Sequence, residues 1–293
     1  EPGAVTESCD VANAMLCRNG ACVSACQTAE NQPSNVGCEF WAVDMDQQDG
    51  LSDPASMPWG VAISPAGFGD TDVTIEINLA KPGEPLDLMV VKQLSIGQDE
   101  VVPVELPTRE LDCGTKPNDY MSPGTCLSSQ AFRITTSAPA VVYQFNVFKN
   151  AFSNDASLLL PTPALGKRYR VVGWPAGHPI KVLNILDRAA ITIVGTTPDT
   201  TVTVLPRWRI KGNPPIAATM PGGEIVATLG PFDVLNLETD DGTLQVQQST
   251  RIAFVEQEPA LDPDATIFQA ASAGLAGVIA LRDQYLAHAD RSE

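Results

Sequence analysis

Residues 73–79, Val73-Thr-Ile-Glu-Ile-Asn-Leu79, place Val73, Ile75, Ile77 and Leu79 on one face of an extended chain and Thr74, Glu76 and Asn78 on the other. A period of two is the mark of a strand with one buried face. Comparable segments recur from Gly37 to about residue 258, and 22 glycines and 24 prolines in 293 residues supply the turns that many short strands need. The fold class this predicts is all-β.

The strand segments repeat in order. Val73-Thr-Ile-Glu-Ile has a counterpart in Val202-Thr-Val-Leu205. Gly97-Gln-Asp-Glu-Val-Val-Pro-Val-Glu-Leu106 corresponds to Gly230-Pro-Phe-Asp-Val-Leu-Asn-Leu-Glu238. Ile134-Thr-Thr-Ser-Ala-Pro-Ala-Val-Val-Tyr-Gln144 corresponds to Val246-Gln-Gln-Ser-Thr-Arg-Ile-Ala-Phe-Val-Glu256, each read as a strand, a Ser-led turn and an apolar strand. This predicts an internal duplication folded as two tandem β-sandwich-like units, over residues 37–150 and 151–258. Between the copies, Leu158 to Leu160 and Tyr169 to Val172 read as further strands. A small Cys-rich cap or stalk (1–36) precedes the units and a helical tail (259–293) follows, its helix expected over Ala265 to Ala287 from the spacing of Ile267, Ala270, Leu275, Val278, Leu281 and Leu286.

Cys9, Cys17, Cys22, Cys26 and Cys38 crowd the N-terminus, Cys113 and Cys126 lie together, and no other cysteine follows. A short segment poor in apolar bulk needs covalent staples, so disulfides are the expected reading rather than zinc; both histidines, His178 and His288, are remote. With Cys113 paired to Cys126 across a long loop, the odd thiol falls among the first five. Disulfides imply an exported chain, and a sequence beginning at Glu1 without an apolar leader fits one whose signal peptide has been removed.

A formal charge of −17 with no basic cluster longer than Lys167-Arg168 argues against nucleic acid as a partner, and no run of 18 apolar residues offers a membrane-spanning helix. Two histidines make a Ser-His-Asp set improbable, glycine-rich phosphate loops are absent, and no carboxylate pair stands out. Asp44, Asp46 and Asp49 before Gly50 form a weak candidate calcium loop, without the glutamate that would complete an EF-hand, and otherwise a solvated acidic turn. Trp41, Trp59, Trp174 and Trp208 suit the core better than a sugar platform.

Gly37-Cys-Glu-Phe-Trp-Ala-Val-Asp-Met-Asp46, Tyr143-Gln-Phe-Asn146, Phe152-Ser-Asn-Asp-Ala-Ser-Leu-Leu-Leu-Pro161 and Leu165-Gly-Lys-Arg-Tyr169 resemble the N-terminal region of the IgG Fc-binding protein family in its bacterial branch, over roughly residues 37 to 258. The resemblance implies a secreted or cell-surface protein, often anchored through a Cys-rich N-terminal stretch, and carries no catalytic residues. It departs where Glu256-Gln-Glu-Pro259 leads into the Ala-rich tail rather than further Cys-containing segments. The expected function is therefore a non-catalytic binding or adhesion module that recognises an extracellular protein or glycan without a cofactor, with loops 107–130 and 208–224 as contact surfaces. A structural stalk or matrix component is the alternative, and a carbohydrate-active enzyme the weaker one.

Overall fold

A computed structural model describes residues 8–10, 14–31, 34–45, 57–67, 69–111, 113, 124–148, 155–171 and 188–240. The expected helix over 265–287 and the segment 246–256 lie outside them.

The N-terminal cap begins with a hairpin of β1 (Met15–Arg18) and β2 (Ala21–Ser24). Asn19 and Gly20 between them both take positive φ, 52° and 83°, the signature of a type I′ turn, whose twist matches that of paired strands. A short helix absent from the sequence expectations, α1 (Ala25–Glu30), follows; its N-cap Ser24 accepts the Cys26 N–H. Disulfides Cys9–Cys22 and Cys26–Cys38 fasten this cap, the second one to β3 (Gly37–Ala42).

A seven-stranded antiparallel sheet forms the main body. Its further strands are β4 (Gly60–Pro65), β5 (Thr71–Asn78), β6 (Leu88–Ile96), β7 (Val102–Glu105), β9 (Phe132–Asn146) and β10 (Asp155–Leu159). The alternation of β5 holds, with Val73, Ile75 and Ile77 buried. Leu79 does not follow it and is 54 % exposed. The strand stops at Asn78, whose Oδ1 accepts the N–H groups of Ala80 and Asp87 and so turns the chain.

The Ser-led turn expected after Thr136 is also absent, because β9 runs unbroken for 15 residues. At Ser137 to Pro139 it changes partners instead. Residues 132–136 pair with β5 on one side and β3 occupies the other; residues 140–145 pair with β4, and residues 142–146 with β10. Ser137 Oγ accepts the Asp72 N–H at this junction, and the Pro139 carbonyl accepts the Ala66 N–H. Proline supplies no ladder donor, so it sits where the partner changes. Both halves turn one face to a common core of Phe40, Trp59, Val61, Ile63, Ile75, Ile134 and Val142 among others, with Trp59 edge-on to Phe132 at 5.1 Å.

A second sheet joins β8 (Cys126–Ser128), β11 (Ala190–Val194) and β14 (Val234–Glu238) in the order β11-β14-β8, and β12 (Thr200–Val204) pairs with β13 (Ile225–Leu229). These strands close on Ile210, Leu229, Leu235 and Leu237. The residues are all-β and β-sandwich-like, as the alternation implied. Two strands nonetheless cross the expected boundary after residue 150: β8 pairs with β14, and β10 with β9. Residues Tyr169 to Val171, expected in a strand, form no regular element.

The two sheets meet at Phe232. Its ring is fully buried, edge-on to Trp41 at 4.9 Å, with the Arg133 guanidinium 5.2 Å from its centroid. Arg133 is itself fixed by Glu76 at 2.8 Å.

Candidate functional site

The outer face of β7, β4, β9 and β10, opposite the core, is the candidate site. Cross-strand partners in an antiparallel ladder share a face. Pro103 lies opposite Ala62, Ala62 opposite Tyr143, and Tyr143 opposite Leu158, so these four residues form one row across four strands. The rows beside it hold Val141 with Ser64, and Phe145 with Gly60, Ala156 and, through Gly60, Glu105. Glu105 is the single charge in these rows. Tyr143 is 43 % exposed and Leu158 40 %, Phe145 stacks on Phe148 at 5.4 Å, and Leu160 and Val101 at the strand ends are 46 % and 67 % exposed. The corresponding face of β3, β5 and the first half of β9 is different: Thr74, Glu76, Arg133 and Trp41 occupy it, and Phe232 packs there.

A second exposed apolar group lies at the edge strand β6, where Leu88, Met89 and Val90 join Leu79 and Leu86. Between α1 and the 3-10 turn at Thr162–Ala164 is a groove of about 270 Å³ lined by Glu30, Cys38, Glu39 and Pro161. Small-molecule sites usually enclose roughly 300–1,000 Å³. This groove falls below that range.

Cys113 pairs with Cys126, and Cys17 is the exposed thiol among the first five. Trp41 and Trp59 are core residues; their indole N–H groups donate to Thr162 Oγ1 and to the Pro107 carbonyl at 3.1 Å. Trp208 is half-buried, and Trp174 lies outside the described residues.

Of the calcium candidates, Asp44 is buried and its Oδ2 accepts the Arg109 N–H at 2.8 Å, while Asp46 and Asp49 lie outside the described residues. Among the described residues no three His, Cys, Asp or Glu side chains converge on a metal-sized site. Burial pushes the Asp44 carboxyl up from 3.8 to about 7, against the smaller opposing effect of the Arg109 N–H. The folded chain then keeps a proton that the unfolded chain releases, so stability falls as pH rises from about 4 to about 7 and is constant in this respect above that window. Asp44→Asn is expected to flatten the slope in denaturation midpoints measured across those pH values; parallel curves for the two proteins would refute the assignment.

The described parts of loop 107–130 serve the sheet junction. The Arg109 guanidinium donates to the carbonyls of Asn78 and Ser129. Gly124 N–H donates to Glu238 Oε2 at 2.7 Å, Asn236 Nδ2 donates to the Gly124 carbonyl at 2.6 Å, and Glu238 N–H donates to Thr125 Oγ1. A Cβ at Gly124 would sit 2.8 Å from the Glu238 carboxyl carbon, so a larger residue would displace that carboxylate from its bond to the Gly124 N–H. Loop 208–224 exposes Met220 and is closed by the bridges Ile210–Thr219 and Asn213–Ile216.

Residues 155–255 match the family model described as IgGFc binding protein. This segment is similar to the IgGFc-binding family. The matched segment opens with β10, so it contributes Leu158 and Leu160 to the outer face and Phe232 to the sheet junction. The motifs at Gly37–Asp46 and Tyr143–Asn146 precede the match. No curated protein sequence matches the chain. The solved structure titled "Crystal Structure of Thermotoga maritima 1070" is 12 % identical, with 42 % of this chain and 91 % of that chain covered at a TM-score of 0.25, a likeness that carries no argument.

Proposed function

We propose that the protein is an extracellular, non-catalytic binding module that engages a protein partner through the outer face of β7, β4, β9 and β10. The observation that carries this reading is the Pro103-Ala62-Tyr143-Leu158 row, an apolar row across four strands in which Pro103, Tyr143 and Leu158 are exposed and Ala62 half-buried. Contiguous exposed apolar surface of this kind marks interaction sites. The IgGFc-binding match supports a protein partner and includes one of the four strands, whereas β6 lies outside it. Aromatic residues such as Tyr143, with an apolar body and a polar tip, are common anchors at interfaces. Three disulfides fit an oxidising compartment.

IgG Fc is the first probe, because the family's description names it. A photo-crosslinking side chain placed at Leu158 is expected to capture one defined protein, either Fc or a component of the native surface extract. The same group at Gln93 on β6 is expected to capture none. Equal capture from both positions would refute the face assignment.

Tyr143→Glu with Leu158→Glu is expected to reduce binding of the apolar dye ANS, the remainder coming from the β6 group, while lowering stability by less than about 1 kcal/mol, since both side chains are already exposed. ANS fluorescence and a denaturation curve check both statements.

A further inference from the structure

We propose that Cys17 and the Cys9–Cys22 disulfide form a thiol–disulfide relay that moves the free thiol of the cap from Cys17 to Cys9. Cys17 lies directly opposite Cys22 in the β1–β2 ladder, and Cys22 is bonded to Cys9. The pair that closes the two-residue Asn19-Gly20 turn is Arg18 with Ala21. In a type I′ hairpin that closing pair exchanges its backbone hydrogen bonds, so the next pair outward, Cys17 with Cys22, is non-hydrogen-bonded. Such pairs have Cα atoms about 4.5 Å apart with side chains on one face, inside the roughly 4.4–6.8 Å range that a disulfide spans. Cys22 therefore has two competing partners, and the unbonded one is exposed.

The exchange balances without an external oxidant. The Cys17 thiolate attacks Cys22 Sγ, the Cys17–Cys22 bond forms, and the Cys9–Cys22 bond breaks. The electron pair leaves on Cys9 Sγ, which takes up the proton that Cys17 released to solvent. One disulfide and one thiol remain. The product closes a much shorter loop and removes the covalent tie between Cys9 and the hairpin, so the thiol becomes available to a partner at the N-terminal side of the cap. The Cys26–Cys38 disulfide keeps α1 attached to β3 throughout.

The test uses the full chain, incubated without reductant at about pH 8, where a typical thiol is appreciably ionised, and then trapped with iodoacetamide. Peptide mapping under non-reducing conditions is expected to find label on both Cys17 and Cys9, and a Cys17–Cys22 bond in the Cys9-labelled fraction. Cys17→Ser is expected to lose all labelling in the cap. Cys9→Ser, treated with oxidised glutathione as the two-electron acceptor, is expected to join Cys17 to Cys22 and lose both thiols. Label confined to Cys17 in the unaltered protein after prolonged incubation, or a Cys9→Ser protein in which Cys17 and Cys22 never join, would overturn the relay.

Discussion

Replacing Phe232 by alanine is expected to lower stability by about 3–5 kcal/mol, the usual cost of deleting a buried aromatic ring. The ring is fully buried at the junction of the two sheets, edge-on to Trp41 and beneath Arg133, so truncation removes an aromatic pair and a cation–π contact as well as apolar burial. Phe232 also occupies the third position of a tight turn, after Pro231, with φ at 71°. The turn is held by the Gly230 N–H donating to Asp233 Oδ2 and the Asp233 N–H donating to the Gly230 carbonyl. That backbone conformation favours glycine.

Phe232→Gly is therefore expected to be more stable than Phe232→Ala by about 1 kcal/mol, the reverse of the order inside a regular strand. Denaturant unfolding followed by tryptophan fluorescence, with Trp41 against the site, measures both values. An alanine variant as stable as the parent would show that the ring does not hold the sheets together.

Glu238→Ala is expected to be comparably severe, at about 3–5 kcal/mol. Glu238 is 2 % exposed, and its carboxylate accepts the Gly124 N–H and faces the Arg188 guanidinium at 3.6 Å. Its removal strands a largely buried cation and a buried backbone donor together. Glu238→Gln keeps the shape and one acceptor, and the expected loss falls to about 1–3 kcal/mol. Changing Arg188→Met along with Glu238→Ala is expected to recover part of the deficit, because no charge is then left without its partner. Denaturation midpoints of the three proteins decide the point; an unchanged midpoint for Glu238→Ala would show that the strap from Gly124 to β14 contributes nothing.

The strands with one polar face were legible. Val73 to Ile77 announced β5, and the Gly-led segments announced β7 and β14 where they occur. What stayed hidden depended on partners far away in sequence. Ser137 and Pro139 are turn residues by local chemistry, yet β9 continues because β4 takes over from β5 at that point. α1 was missed because its six residues carry no apolar periodicity; only Ser24, a good N-cap, hinted at it. Pro231 marked a turn, but nothing local indicated that a phenylalanine would accept the third position, since its compensation comes from Trp41 and Arg133.

The outer face did leave a trace. Residues 138–145, Ala-Pro-Ala-Val-Val-Tyr-Gln-Phe, are apolar on both faces save for Gln144, the pattern of a strand covered on both sides. Here the side with Val142 meets the core, and on the other side Tyr143 is 43 % exposed while Phe145 stacks on Phe148. An apolar strand face with Tyr143 and Leu158 exposed is the feature a binding partner would complete. Of the candidate metal ligands, Asp44 reads as a solvated acid in sequence, and only the position of Arg109 and Leu111 in space reveals that it is an internal bonding residue.

The claim that this face binds a protein is tested most directly by an equilibrium binding isotherm for the partner captured at Leu158. The unaltered chain, the Tyr143→Glu/Leu158→Glu variant and a Val90→Glu control on β6 would be compared. Loss of two anchors is expected to weaken binding at least about 30-fold, roughly 2 kcal/mol, while the β6 control binds as the parent does. Equal affinity for all three folded proteins would contradict the assignment.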